Sequence, residues 1–218
     1  FKSRVKHIQT MPDNELPNKQ LFYTIEILDQ AISRGKQVSF QYNEYYTDGR
    51  LHARKDDSGH VRTYIINPYQ IAAVNGRYYL ICNNDKYDSV SNYRVDRITD
   101  ICLLDTPAKP MKKVKGLENG LNLPKHMAEH VYMFTGESVP VTFRAKKYLL
   151  TDLFDWFGKE MQFLDETEDE VTVRVTVNQD AMQKWALQYA LHVTVVKPER
   201  LVKKIQEDIR NAAMNYQV

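Results

Sequence analysis

The sequence predicts an α+β protein built from two small domains. One helix with a periodic apolar stripe precedes about five short strands, and a segment rich in Pro, Gly and Lys follows. The remaining chain alternates strands and helices in the order βαββαβ, which is typical of a ferredoxin-like sandwich. Five antiparallel strands after one helix suit a closed barrel of the Sm or SH3 kind. The predicted boundaries are a tether at 1–17, the barrel domain at 18–105, a linker with a short helix at 106–135 and the ferredoxin-like domain at 136–218.

The first domain opens with a helix that is predicted over residues 19–34. Its apolar residues recur at helical spacing, which is typical of a helix that buries one face, and Gly35 is a suitable end. The residues of this stripe are Leu21, Ile25, Leu28 and Ile32.

The strands of the first domain are predicted from a change to a period of two. QVSFQYNEY alternates apolar and polar residues, as a half-buried strand does. VRTYIINPYQIAAV and RYYLICN are two further strands, and Asn75-Gly76 between them predicts a type I′ hairpin turn, because both central residues of that turn need a positive φ. SNYRVDRITDICLLD holds the last two strands, and the polar residues 46–60 are predicted to form a loop.

The second domain is predicted from alternating strand and helix patterns. The strand patterns are SVPVTFRA, EMQFLDE, EVTVRVTV and HVTVV. KKYLLTDLFDWF predicts a helix that ends at Gly158, and NQDAMQKWALQYA predicts a helix that Asn178 caps. A final helix is expected to begin at Pro198, a residue favoured in the first turn of helices.

Composition and charge narrow the class of protein. The 43% hydrophobic content is enough to bury a core, and the formal charge of +2 neither favours nor excludes a nucleic-acid partner. No apolar run reaches the roughly 20 residues that span a bilayer, and the opening FKSRVKHIQT does not resemble a signal peptide. Cys82 and Cys102 lie in strand-like runs and are expected to be reduced thiols, which favours a cytoplasmic protein. Because the chain begins at Phe1 without Met, we expect a fragment of a longer protein.

One short segment has the spacing of a metal-binding signature. His126, Glu129 and His130 form H-x-x-E-H, which on a helix places two imidazoles on one face beside a carboxylate that would act as base. The segment follows Pro124 directly and adjoins the linker, whereas a catalytic metal needs a rigid helix and a third ligand. A solvated connector helix is therefore the favoured interpretation, a zinc hydrolase is a remote alternative, and no metal or other cofactor is expected.

The first domain is rich in tyrosine, and two arginines, Arg94 and Arg97, flank Asp96. Side chains alternate across a strand, so one of Tyr78 and Tyr79 should be core and the other more exposed, while Arg94 should share a face with Asp96. Arginine forks bind phosphates and carboxylates, and aromatic faces stack on bases. The same residues also suit a plain aromatic core in which Asp96 pairs with a neighbouring arginine. The residues alone leave a ligand groove and a structural role both open.

The stretch FQYNEY…RTYIINPYQIAAVNGRYYLICNNDKYDSVSNYRVDRITDI resembles the WYL domain of bacterial regulators, with Tyr in place of the Trp that gives the family its name. The matching residues are Pro68, Tyr78-Tyr79-Leu80, Arg94 and Asp96-Arg97-Ile98. This resemblance covers about residues 20–105, and residues 136–216 resemble the C-terminal extension of that family, called WCX.

The resemblance implies a fold and a mode of action. The barrel would be Sm-like and would sense a ligand, in some members a nucleotide or nucleic-acid fragment, for an N-terminal winged helix-turn-helix that reads duplex DNA. Residues 1–17 are too short for that module. Either it was removed or this member lacks it; the start at Phe1 favours removal, so we interpret residues 1–17 as the tether. The resemblance also implies a homodimer whose extension reaches toward the partner subunit, where Arg144, Lys146 and Arg174 would add positive charge.

The resemblance further implies a ligand groove in the barrel, in which Arg94 and Arg97 clamp an anionic group and tyrosines stack or donate hydroxyls. The candidate ligand-binding residues are Tyr42, Arg62, Tyr79, Arg94 and Arg97, and the supporting residues are Tyr78, Tyr93 and Asp96, the last orienting an arginine. We therefore expect the ligand-sensing and dimerisation part of a transcription regulator, without catalytic activity and without a membrane partner. Its expected ligand is an anionic small molecule or single-stranded nucleic acid. A stand-alone nucleic-acid-binding Sm-like module is the alternative.

Overall fold

The computed structural model describes residues 17–74 and 76–216, which divide into two compact units. The N-terminal unit holds the described residues up to Asp88 together with Tyr93–Pro110, and the C-terminal unit holds Ser89–Asn92 together with the described residues from Met111 onward. Sheets with antiparallel strand pairs and helices occur together, so the predicted α+β class is confirmed. The expected tether lies outside the described residues except for Pro17.

The N-terminal unit is built on one helix and a six-stranded antiparallel sheet. The elements are α1 (Pro17–Arg34), β1 (Lys36–Tyr45), β2 (Leu51–Ala53), β3 (Thr63–Val74), β4 (Arg77–Asn83), β5 (Val90–Arg94), a 3₁₀ turn (Val95–Arg97) and β6 (Ile98–Pro107). The strands follow the order β2-β1-β3-β4-β5, and β6 pairs with β1. Of β5, only Tyr93 and Arg94 belong to the N-terminal unit. A pairing of β5 with β6, which would close a barrel, is not among the pairings of the described strands.

Strand β2 is the element that the sequence did not predict, since it lies inside the expected loop at 46–60. It pairs with the end of β1, with Asn43 opposite Ala53 and Tyr45 opposite Leu51. Three residues are too few to show a period of two, so the sequence carries no pattern for this strand. The pairing matters because it brings the residues that follow β2 beside the end of β1.

Strands β3 and β4 form the hairpin that the sequence predicts. Val74 lies opposite Arg77, and Gly76 in the turn has a φ of 73°. A positive φ is readily adopted by glycine and strained for most other residues, so Gly76 suits this position. Asn75, the other predicted turn residue, lies outside the described residues.

The core of the N-terminal unit is aromatic. Phe40 stacks on Tyr64 with 5.8 Å between ring centroids and meets the edge of Tyr93 at 5.5 Å. Helix α1 adds Leu28, which is fully buried and belongs to the predicted apolar stripe. Each aromatic pair of this kind contributes about 0.5–1.5 kcal/mol beyond the burial of its surface.

A network of buried polar side chains joins β3 to the segment after β6. Asn67 is fully buried; its Nδ2 donates to Asp85 Oδ1 at 2.7 Å, and its Oδ1 accepts from Gln37 Nε2 and from the Lys109 backbone N–H, both at 2.9 Å. The Tyr69 hydroxyl donates to the Lys109 carbonyl at 2.8 Å. Buried amides require such partners, and here they hold the exit of the chain from the N-terminal unit.

The C-terminal unit has the predicted βαββαβ order followed by one more helix. Its main elements are α2 (Leu123–Glu129), β7 (Ser138–Lys146), α3 (Leu150–Phe157), β8 (Gln162–Glu166), β9 (Glu170–Asn178), α4 (Gln179–Gln188), β10 (Val193–Lys197) and α5 (Glu199–Met214). The strands are antiparallel and lie in the order β10-β7-β9-β8.

The core of the C-terminal unit lies between this sheet and its helices. Trp185 of α4 is fully buried and contacts Phe143 of β7 and Phe157 of α3, with ring centroids 5.5 and 4.8 Å apart. The predicted cap of α4 is present, because Asn178 Oδ1 accepts the N–H of Ala181 at 2.9 Å. None of the described helices combines the length and the apolar character that crossing a membrane demands.

Candidate functional site

Arginine side chains lie over tyrosine rings at one end of the N-terminal unit. Arg62 is 4.7 Å from the ring centroid of Tyr64, measured from its guanidinium carbon, and Arg54 is 5.2 Å from that of Tyr42. The Arg97 guanidinium lies 5.7 Å from the ring centroid of Tyr45. All three distances are within the range of cation–π attraction. We refer to these residues as the arginine–tyrosine cluster: Tyr42, Tyr45, Arg54, Arg62, Tyr64 and Arg97.

Backbone pairing places the first two arginines beside β1. The N–H of Arg54 donates to the carbonyl of Tyr42 at 3.0 Å, and the N–H of Arg62 donates to the carbonyl of Arg54 at 2.8 Å. Arg54 directly follows β2 and Arg62 directly precedes β3, so the connection between these strands folds back on itself. The rings of Tyr42 and Tyr64 meet at 6.2 Å, which brings the two arginine–tyrosine pairs together.

The three arginines differ in how their charge is balanced. Arg54 Nε donates to Glu44 Oε2 at 3.1 Å, and both side chains are 42% exposed, so this ion pair contributes at most about 1 kcal/mol. Arg62 and Arg97 make no ion pair with any residue in 17–74 or 76–216. The Nε atom of Arg97 is moreover buried, with no acceptor among the same residues. Two positive charges at this surface therefore lack a protein counter-charge.

Arg94, by contrast, is already engaged. Its Nε donates to Asp96 Oδ1 at 3.0 Å and its Nη2 to Asp96 Oδ2 at 2.5 Å, which is a bidentate fork. The hydrogen bond to Asp96 raises the pKa of Arg94, and the two side chains are only 12% and 24% exposed. The two side chains do face each other, but Asp96 lies in the 3₁₀ turn Val95–Arg97, so strand alternation is not what brings them together. The expected role of Arg94 in binding an anionic ligand stays a prediction. In the structure, Asp96 already accepts the guanidinium hydrogen bonds that Arg94 would use to bind that ligand.

Tyr42 and Tyr93 are structural as well as candidate site residues. Tyr42 is 7% exposed, and its hydroxyl accepts the backbone N–H of Arg94 at 3.1 Å. Burial raises the pKa of Tyr42, and that hydrogen bond and the nearby arginines partly offset the effect, so the phenol stays neutral. Tyr93 meets Tyr42 edge-on at 4.9 Å, and burial likewise raises its pKa. Neither ring has a fully open face for stacking.

The two tyrosines of the name-giving triplet differ in exposure. Tyr78 is 45% exposed, while Tyr79 is half-buried. Tyr79 also contributes to the electrostatic surroundings of Arg94, so it lies near the fork. Tyr78 is the more exposed of the two, but neither tyrosine is a core residue, and Leu80 to Asn83 are all buried, so burial along β4 does not follow the predicted alternation.

Sequence reasoning missed three members of the cluster, Tyr45, Arg54 and Tyr64. Tyr64 lies within a predicted strand, and the alternation of side chains along that strand could have identified it as a core residue. Arg54 lay in the expected loop, and only the pairing of β2 with β1 reveals its position. A single sequence offers no signal for that pairing.

The H-x-x-E-H segment forms α2, with both histidines turned inward. His126 is 6% exposed, so its interpretation as part of a solvated face is wrong. Its ring stacks on His130 with centroids 4.1 Å apart, its Nε2 lies 3.4 Å from Asn92 Oδ1, and His130 Nδ1 donates to the His126 carbonyl at 2.8 Å. Burial lowers the pKa of His126 to about 3 and also lowers that of His130. Both rings are therefore neutral and act as packing groups.

No metal site is apparent around these histidines. Across the part of the chain that the structure describes, no group of three His, Cys, Asp or Glu side chains is placed to hold a metal ion.

Comparison with protein families gives two matches that together cover more than half of the chain. The model of the WYL domain matches residues 23–103, and the model of the WCX domain matches residues 137–213. The chain belongs to the WYL-domain family. The arginine–tyrosine cluster lies wholly inside the WYL match, and β7 through most of α5 lie inside the WCX match.

Solved structures similar to this WYL–WCX chain are longer proteins. Proteasome accessory factor B/C (PafBC) of Arthrobacter aurescens is 15% identical with a TM-score of 0.38, and the match covers 94% of this chain and 29% of that one. A CRISPR Cas-related protein is 12% identical with a TM-score of 0.50, and the match covers 90% of this chain and 52% of that one. The second similarity supports the fold alone. No curated protein sequence matches the chain.

Proposed function

We propose that this chain is the effector-sensing part of a WYL-family transcription regulator. The WYL domain, folded as an Sm-like barrel, binds an anionic ligand at the arginine–tyrosine cluster and catalyses no reaction. The ligand is a nucleotide or a short single-stranded nucleic acid. In the complete regulator, a homodimer in the cytoplasm, the bound ligand controls a helix-turn-helix that contacts duplex DNA.

The uncompensated charge of Arg62 and Arg97 is the observation that carries this proposal. Neither guanidinium has a carboxylate partner among the described residues, and each is held against a tyrosine ring. A guanidinium fixed in this way keeps its N–H groups free for a phosphate, to which arginine binds bidentately. The exposed Tyr45, 44% accessible, adds an aromatic face on which a base can stack. Phosphate and base together are the chemistry of a nucleotide.

Binding of defined probes tests the proposal. Fluorescein-labelled oligothymidylate and labelled ATP are titrated with the protein, and anisotropy is followed over a range of salt concentrations. For single strands, the logarithm of the association constant should fall linearly with the logarithm of salt concentration, with a slope of about −0.7 for each phosphate contacted. Loss of both Arg62 and Arg97 should therefore reduce the slope by about 1.4.

A matched variant separates site charge from net charge. R62A/R97A should weaken binding at least about tenfold, because two charge-assisted contacts are lost. R77A removes one positive charge from the exposed end of the β3–β4 hairpin and should change affinity much less. Equal losses in R77A and in the single variants R62A and R97A would contradict the site. Tighter binding of duplex DNA than of either probe would favour the stand-alone nucleic-acid-binding module.

A further inference from the structure

The segment between the two family matches carries a strong positive charge. Residues 104–136 lie outside both the WYL and the WCX match, so neither family model accounts for them. Within this segment, residues 106–128 hold five lysines and a single carboxylate, that of Glu118. Three of the lysines fall within four residues, and we call them the lysine turn: Lys112, Lys113 and Lys115.

The backbone of the lysine turn is fixed by consecutive tight turns. The N–H of Val114 donates to the Met111 carbonyl at 2.8 Å, and the N–H of Leu117 donates to the Val114 carbonyl at 3.0 Å. Val114 is fully buried and Leu117 is 2% exposed, so both side chains anchor the segment to the C-terminal unit. Lys115 also forms a parallel β-bridge with Ser89 of the same unit. The lysines are therefore carried by a held backbone and not by a freely solvated linker.

The lysine side chains lie between these anchors and are not neutralised. All three are exposed, and they make no ion pair with any residue in 17–74 or 76–216. Glu118, the nearest carboxylate in the sequence, accepts the backbone N–H of Gly116 at 3.0 Å. Like charges held close together repel one another, and an anionic partner would relieve this repulsion.

We propose that the lysine turn binds the phosphate backbone of duplex DNA without reading its sequence. A lysine ammonium is a compact point charge that suits a phosphate, whereas base edges are read mainly by side chains with directed hydrogen bonds. Duplex DNA carries one charge for about every 1.7 Å of its axis, so neighbouring lysines can each meet a phosphate and release counterions. This proposal does not rest on the ligand of the WYL domain, so either can fail alone.

The composition of the segment favours duplex DNA over two other anionic partners. Single strands are held by aromatic side chains on which their bases stack, and residues 104–130 contain no Phe, Trp or Tyr. A lipid surface is bound by segments whose apolar side chains insert into it, and here Val114 and Leu117 are buried in the protein.

Binding of a duplex to the full chain tests the lysine turn. A fluorescein-labelled duplex of about 20 base pairs and arbitrary sequence is titrated with the protein between about 20 and 100 mM salt, and anisotropy is followed. The logarithm of the association constant should fall linearly with the logarithm of the salt concentration, with a slope of about −0.9 for each phosphate contacted. K112Q/K113Q/K115Q should therefore reduce the slope by about 2.7 and weaken binding at least about tenfold at the lowest salt.

Two further variants separate the lysine turn from net charge and from folding. K159Q/K197Q/K203Q removes the same charge from three exposed lysines elsewhere on the C-terminal unit and should leave the slope unchanged. K112R/K113R/K115R keeps the charge and should retain the slope of wild type. Tryptophan fluorescence checks that each variant is folded.

Four results overturn the proposal. They are no binding of the duplex at the lowest salt, the wild-type slope in K112Q/K113Q/K115Q, and an equal loss of slope in K159Q/K197Q/K203Q. The fourth is tighter binding of vesicles that contain phosphatidylserine than of the duplex, which would assign the lysine turn to a membrane surface.

Discussion

The buried histidine pair predicts that the C-terminal unit loses stability as the pH falls. The pKa of His126 is lowered by burial from 6.5 to about 3, with the neighbouring His130 acting in the same direction. Above pH 6.5 the imidazole is neutral in both the folded and the unfolded chain. Below it, the unfolded chain takes up a proton that the folded chain excludes, so the free energy of unfolding decreases.

The size of the effect follows from this shift. Each pH unit between the unfolded and the folded pKa removes about 1.4 kcal/mol of the free energy of unfolding. Integrated between pH 7 and pH 4.5, the contribution of His126 amounts to about 2.5 kcal/mol. The pKa of His130 is also lowered by burial, so its contribution has the same sign.

Tryptophan fluorescence in urea measures this domain selectively, since both tryptophans of the chain, Trp156 and Trp185, lie in the C-terminal unit. Urea unfolding curves of wild type and H126N are measured at pH 7 and at pH 4.5. Titrating carboxylates affect both proteins alike, so the useful quantity is the difference between their pH-induced losses of stability. H126N should lose about 2.5 kcal/mol less than wild type over this interval.

A surface histidine provides the control. His192 is exposed on the same unit, and H192N should lose as much stability as wild type between the two pH values. If H126N and wild type show the same loss between the two pH values, the buried neutral histidine is refuted as the cause.

Three further outcomes are expected. N67A removes the donor to Asp85 Oδ1 and the acceptor of the Lys109 N–H, while Gln37 still donates to Asp85 Oδ2 at 3.0 Å, so thermal unfolding followed by tyrosine circular dichroism should show about 2 kcal/mol less stability. N178A removes the acceptor for the Ala181 N–H at the start of α4 and should lower the urea midpoint of tryptophan fluorescence by the equivalent of about 1 kcal/mol. After exposure to zinc and dialysis to remove the free metal, the protein should retain no stoichiometric zinc by mass spectrometry. The reason is that the two stacked histidines have no third ligand among the described residues.

Much of the fold could be predicted because its signals are local. The Asn-Gly dipeptide between two strand patterns indicates a hairpin, and the cap at Asn178 depends on one residue and the helix after it. The apolar stripe of α1 correctly identified Leu28 as core. Such features need only the sequence within a few residues, so one sequence is enough to find them.

The features that sequence reasoning missed depend on contacts between distant segments. Strand β2 exists because it pairs with β1, and Arg54 joins the site only through that pairing. The sequence around His126, next to a linker, predicts a solvated side chain, yet the imidazole contacts Asn92 of β5, 34 residues earlier in the chain. Asn67 lies in an apolar strand pattern and gives no hint of a network that reaches Lys109. Tertiary pairing, and not local propensity, decides each of these cases.

The two arginines differ in how their charge is balanced, which their positions in the sequence do not show. Arg94 and Arg97 flank Asp96 in the sequence, and either could pair with it. In the structure the fork of Arg94 is satisfied by Asp96, whereas Arg97 rests on Tyr45 with a buried Nε that has no acceptor among the described residues. Leaving such a donor unpaired costs about 1–3 kcal/mol. The fold satisfies Arg94 and leaves Arg97, three residues further on, without an acceptor for this Nε, which supports the proposed role of Arg97 in ligand binding, so R97A should weaken ligand binding more than R94A does.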